Sequence, residues 1–311
     1  NLKGREAEVV QGSSWGVPFA RGTVRPDSRF TITRQDGTDV PSESWPLAYW
    51  PDGSLKWVGL AVVSGKGMDN LTLNVDHPSG KAGNVKAVSA PGRGFATEEQ
   101  DGIRIDNNVM QCFFPSSGSS IIRDISMGGR LICDKASLVA ILEQREEGAG
   151  KSSITLEDYM GEVEKVSIVQ NTPLRAAVKI QGRHKSVSGS RGWLPFTLFC
   201  VMYKDVPTIS ITHSFVFDSD GQKDFIKGLG VRFNVPFREE AHNRHARFAG
   251  DGSLGAGFWC QPVRLAPGYR PRAGQVFFKN YQNYLEGRKL PDLKDLTESE
   301  RSALLTCPVW G

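Results

Sequence analysis

Apolar and polar residues alternate along this chain with a period of two far more often than with a period of 3.6. Leu71-Thr-Leu-Asn-Val75, Val166–Val169, Leu174–Ile180, Leu194–Tyr203, Pro207–Phe217 and Val231–Phe237 are alternating or β-branched runs, the pattern of strands whose successive side chains point to opposite faces. Asp-Gly pairs at 36–37, 52–53, 101–102, 220–221 and 251–252 punctuate the runs, and such pairs tolerate the positive φ angles of tight hairpin turns. Helical spacing is scarce. Ala136–Glu147, with Leu138, Ile141 and Leu142, fits a short helix or an edge strand, and Leu296–Leu305, behind a Thr297-x-x-Glu300 capping box, is the one well-capped helical candidate. The pattern predicts an all-β protein with helix below roughly 15% of residues.

The spacing of the strands changes along the chain. Up to about residue 80 they are short and broken by Asp-Gly or Pro every ten residues or so, which predicts a small barrel. A stretch rich in Gly, Ala, Pro and Ser at Val85–Glu99 follows, and the boundary is placed at residue 88. Beyond it the strands are longer over roughly 190 residues, which predicts a large antiparallel sandwich. The organisation expected is a barrel over 1–88, a sandwich over 89–290, and a linker with a short helix over 291–311. No period of 20 to 50 residues repeats.

With 311 residues, 39% of them hydrophobic, the chain is long enough for two cores and too apolar for disorder. No apolar run reaches the roughly 18 residues of a membrane helix; Pro195 and Thr197 break the strongest one. Lys and Arg exceed Asp and Glu by 38 to 34, spread evenly, which argues against a dedicated nucleic-acid binder. Cys112, Cys133, Cys200, Cys260 and Cys307 form no C-x-x-C pair, and Cys200 and Cys260 sit in strand-like apolar contexts as buried hydrophobes. The chain opens on Asn1 with no leader in view and stops at Pro308-Val-Trp310-Gly311 just after the capped helix, so a helical continuation is expected.

Candidate chemistry is densest at Arg238–Arg247. His242, Arg244, His245 and Arg247 could hold a carboxylated ligand, because Arg matches carboxylate oxygens bidentately and His exchanges a proton near neutral pH. In a strand, Arg244 would face one way and His245 with Arg247 the other. The plainer reading is a solvated edge strand paired to Glu239 and Glu240, and the two histidines lack the third ligand of a zinc site. Asp218, Asp220 and Asp224 resemble half a calcium loop but fit a polar hairpin turn better, and His213 fits a hydrogen-bonded sheet histidine. No nucleotide or nucleophile-elbow fingerprint is present. Trp45-Pro-Leu-Ala-Tyr49-Trp50-Pro-Asp-Gly-Ser-Leu-Lys-Trp57 could stack on sugar rings; Trp50 and Trp57 flank a tight turn, which favours packing at a barrel corner.

Several of these segments are similar to one family. Trp15-Gly-Val-Pro18 with Ser44–Trp57 resembles the N-terminal RIFT barrel of the exo-rhamnogalacturonan lyases, polysaccharide lyase family 26. Thr212–Asp218 with Lys223–Gly230 resembles that family's central β-sandwich, and Arg244–Phe248 and Cys307-Pro-Val-Trp310 are also similar. The resemblance implies a RIFT barrel, then the sandwich, then an α/α toroid beyond this chain. It implies a secreted or periplasmic lyase acting on an acidic plant polysaccharide, rhamnogalacturonan I, by β-elimination at galacturonate. There a base takes the C5 proton, a cation such as calcium or an Arg neutralises the uronate carboxylate, and an acid protonates the departing O4. Arg244 or Arg247 would suit the neutralising role, and His242 or His245 proton transfer. Two other readings stay open: a non-catalytic scaffold or carbohydrate-binding accessory to the toroid, and a related enzyme for another glycan.

Overall fold

A computed structural model describes residues 10–64, 70–76, 93–148, 151–238, 292–299 and 301. Strands take up 66% of the described residues and helix 2%, so the all-β expectation holds. All strand pairs among the described residues are antiparallel.

Two three-stranded sheets build the first part. One runs β1 (Gln11–Pro18), β5 (Leu55–Ser64), β4 (Ser42–Tyr49); the other runs β3 (Asp39–Val40), β2 (Arg29–Arg34), β6 (Leu71–Asp76). They enclose a core of Val24, Ile32, Val40, Leu55, Val58, Leu60 and Val62. At the turn between β4 and β5, Trp50 N–H donates to the Ser54 carbonyl at 2.8 Å and Gly53 takes φ +82°, where a Cβ would be strained. The corner is closed by Trp50, whose indole N–H donates to the Phe19 carbonyl at 3.0 Å and whose ring carries the Lys56 ammonium at 4.6 Å. The packing role read for this Trp in sequence is the one it has.

The second part is one 10-stranded sheet. Its strands are β7 (Ala96–Glu99), β8 (Gly102–Asp106), β9 (Met110–Pro115), β10 (Ile122–Met127), β11 (Arg130–Gly148), β12 (Lys151–Asn171), β13 (Arg175–Ser186), β14 (Gly192–Tyr203) and β15 (Ser210–Phe215), with β16 (Asp224–Asn234) on β11. The length of β11 decides the layering. Residues 130–136 pair with β10, residues 139–148 pair with β12, and β16 takes the opposite edge from Lys135 to Gln144. Two strands thus leave the same edge of β11, and the sheet peels into two layers there. The layers close on a core drawn from both, with Ile105, Cys112, Phe114 and Ile122 from one side and Val178, Ile180, Leu198, Cys200 and Met202 from the other. This is the sandwich.

One expectation needs correction here. Ala136–Glu147 is neither a helix nor an edge strand but the middle of β11, paired on both edges. Leu138, Ile141 and Leu142 suggest helical spacing, yet Ala136, Leu138, Ala140 and Leu142 are all buried at a strict period of two. The small alanines hide that period in the sequence. At the other end, the described residues show a 3-10 turn at Leu293–Asp295, and the Arg301 N–H donates to the Thr297 carbonyl at 2.9 Å, the first helical turn behind the predicted cap. No helix among the described residues is long and apolar enough to cross a membrane.

Candidate functional site

β5 is buried on both faces, and this joins barrel to sandwich. Val58, Leu60 and Val62 enter the barrel core, while Ala61 and Val63 on the opposite face pack with Leu174, Tyr203, Val206 and Val201 of the sandwich. A cleft of about 690 Å³ opens beside this seam. The barrel contributes Gly12 and Ser14 from β1 and Glu43, Ser44, Trp45 and Leu47 from β4. The sandwich contributes Gln170 from β12, Thr172 from the turn, Arg175 and Ala177 from β13, Phe199 and Tyr203 from β14, and Ser210 and Thr212 from β15.

Two glycines let the aromatic rings sit where they do. Gly59 is the register partner of Trp45, and a Cβ on it would overlap the indole; a Cβ on Gly12 would overlap the ring of Tyr203. Neither glycine has a positive φ, so their role is close approach rather than backbone shape. Arg175 lies opposite Tyr203 in the β13–β14 register. Its guanidinium carbon is 5.0 Å from the Trp45 ring centre and 5.9 Å from that of Tyr203, within reach of the negative ring faces.

Among the described residues, two charged side chains line the cleft. Nη1 of Arg175 donates to Oε1 of Gln170, its Nε is buried without a partner, and among the described residues no carboxylate lies within the 4 Å of an ion pair. Glu43, 2% exposed, accepts the Leu174 N–H at 3.3 Å. Burial pushes its carboxyl above the usual carboxylate range, against the downward pull of the Thr172 hydroxyl, the Leu174 amide and the Arg175 charge. Among the described residues the lining holds neither His nor Lys. Such a surface can bind: it offers one fixed cation with free N–H groups, apolar patches at Leu47 and Phe199, and a fringe of small hydroxyls.

His242, Arg244, His245 and Arg247 lie outside the described residues. The carboxylates of the half calcium loop do not converge. Asp218 accepts the Leu194 N–H at 2.9 Å and pairs with Arg183; Asp220 accepts the Gln222 N–H at 2.9 Å; Asp224 pairs with Arg191. They serve a turn, the reading the sequence favoured. His213 stands beside His184 at 6.1 Å between ring centres, and burial lowers the pKa of both. Cys112, Cys133 and Cys200 are buried free thiols. Sequence reasoning missed Glu43 and Arg175 because their encounter depends on strands far apart in the chain. Glycines within the otherwise ordinary strands β1 and β5, opposite aromatic positions, are the signal that could have pointed to the cleft.

Comparison with known proteins is consistent across the chain. Residues 95–311 match the central β-sandwich domain of PcRGLX-like proteins, and residues 1–76 match the PcRGLX-like N-terminal RIFT barrel domain. The uncharacterized protein YetA of Bacillus subtilis (strain 168) is 30% identical over 289 residues, which is 92% of this chain and 32% of that relative. The chain therefore spans about a third of the length of that relative. Among solved structures, an α-mannosidase from Enterococcus faecalis V583 overlays on 79% of this chain and is itself covered over 31%, with 12% identity and a TM-score of 0.39.

Proposed function

We propose that this chain, which belongs to the PcRGLX-like family, is the β-structured part of a carbohydrate-active enzyme that cleaves rhamnogalacturonan I by β-elimination at galacturonate. The observation that carries the reading is the ordered pair of family domains, RIFT barrel then central sandwich, over nearly the whole chain. The chemistry needs three groups around the uronate: a base for the acidic C5 proton, a cation at the carboxylate to stabilise the carbanion-like state, and an acid for O4. We assign the carboxylate to Arg244 or Arg247 and proton transfer to His242 or His245, with calcium as the alternative cation. A polysaccharide substrate lies outside the cell, so we place the protein in a secreted or periplasmic setting.

The lining of the junction cleft favours a second reading for this portion, in which it holds glycan and leaves the chemistry elsewhere, because Glu43, the carboxyl group among the described lining residues, is buried and engaged by the Leu174 amide. The test is elimination on rhamnogalacturonan I by the longer protein, followed by absorbance of the unsaturated product. Loss of a group that neutralises developing charge costs several kcal/mol in the transition state, against about 1 kcal/mol or less for a solvated charge. Arg244→Ala or Arg247→Ala should lower the rate at least about a hundredfold with little change in melting temperature. Unchanged turnover in both variants returns the segment to a solvated strand, and absence of the unsaturated product from the unsubstituted protein rejects the lyase reading.

A further inference from the structure

We propose that the cleft between barrel and sandwich is a binding site for a carboxylated sugar, with Arg175 as the residue that reads the carboxylate. The sugar part rests on the glycan reading above; the carboxylate part rests on Arg175 itself. A guanidinium has five N–H donors, and a cation taken from water is costly unless those donors are met. Among the described residues the Arg175 side chain hydrogen-bonds Gln170 alone, through Nη1, while its Nε is buried without a partner. The other charged group of the lining, Glu43, accepts the Leu174 amide and feels the Arg175 charge, but the two do not come within the 4 Å of an ion pair. Trp45 and Tyr203 pack beside the guanidinium and restrict its orientation, so an incoming anion meets a cation already positioned.

The rest of the wall selects a sugar over a simple anion. A volume of about 690 Å³ falls within the range of roughly 300–1,000 Å³ typical of small-molecule sites and far exceeds what acetate fills. Leu47 and Phe199 offer apolar surface for the C–H face of a pyranose, and Ser14, Ser210 and Thr212 offer hydroxyls for its polar edge. Glu43 lies on the Arg175 side and its ionisation opposes an incoming carboxylate, so affinity for the anion should fall as pH rises through the Glu43 titration.

The 311-residue chain, labelled with nitrogen-15, is titrated with digalacturonate, with neutral galactobiose and with sodium acetate. The expected result is a shift of the Arg175 Nε–H resonance with digalacturonate, at least tenfold tighter binding of that sugar than of galactobiose or acetate, and loss of the preference in Arg175→Ala. Arg175→Lys should recover only part of it, because an ammonium lacks the planar fork. Equal binding of the charged and neutral sugars, acetate binding as tightly as digalacturonate, an unmoved Arg175 resonance, or full affinity in Arg175→Ala would each overturn the proposal. The wild-type spectrum decides the matter even if Arg175→Ala fails to fold. Elimination by the longer protein together with no uronate preference here sinks this site and spares the lyase reading; uronate binding here without elimination does the reverse.

Discussion

Gly59 shows how a single absent side chain shapes the candidate site. It sits within β5, where any residue could adopt the backbone, yet the Trp45 indole occupies the space a Cβ would need. Overpacking of this kind costs about 1–3 kcal/mol, and the indole is too rigid and too hemmed in to yield cheaply. Gly59→Val should therefore lower stability by that amount in urea unfolding and shift the tryptophan emission as Trp45 is displaced. Because Arg175 packs on the same ring, the substitution should also weaken uronate binding; an unaltered emission spectrum would show that Trp45 does not rest on Gly59.

The segment joining β14 to β15 depends on one buried side chain in the loop between β8 and β9. Asn107, 1% exposed, donates to the carbonyls of Tyr203 at 2.7 Å and Val206 at 2.8 Å, and accepts from the Met110 N–H at 2.8 Å and the Val109 N–H at 3.2 Å. Its own carbonyl accepts the Asp205 N–H at 2.9 Å, where Asp205 turns through φ +59°. Removing the amide strands buried carbonyls, at about 1–3 kcal/mol for each unsatisfied group. Asn107→Ala should cost at least about 2 kcal/mol in urea unfolding and loosen Tyr203, raising amide exchange at 203–206 above that at the centre of β13. A cost below about 0.5 kcal/mol would mean that water replaces the amide without penalty.

For the molecule as a whole, the buried titratable groups set opposing pH dependences. His184 donates its Nδ1–H to the Leu194 carbonyl, 2.8 Å away, meets the Phe196 ring edge to face and neighbours His213, and both imidazoles are held below the usual histidine value, mainly by burial. A depressed folded-state pKa means that the unfolded chain binds more protons as the pH falls below about 6.5, so stability present at neutral pH is lost on acidification through the folded values. Glu43 works the other way: its raised pKa favours the folded state below about 4.5, and that contribution is lost as pH rises through the folded value. The melting temperature should fall from pH 7 to pH 5, His213→Phe should flatten that fall, and Glu43→Gln should steepen it, because it removes a contribution that grows as the pH drops. A His213→Phe profile parallel to wild type would remove the histidine from the account.

The sequence by itself determined the class of the fold, because strand periodicity is local: a strand buried on one face repeats every two residues, and Asp-Gly marks its turns. Leu71–Val75 and Leu194–Tyr203 were readable for that reason, and so was the polar turn at Asp218–Asp224. The long motifs around Trp45–Trp57 and Thr212–Gly230 also carried the family. What only the tertiary structure decided was pairing. Ala136–Glu147 of β11 fitted a short helix or an edge strand because its alanines conceal which face is buried, and only two partners on one edge reveal β11 as the place where the sheet divides. Glu43 and Arg175 acquire meaning only once β5 is covered on both sides, since a cleft between a barrel and a sandwich has no linear motif; its chemistry comes from residues that share a solvent-depleted space, not a stretch of chain.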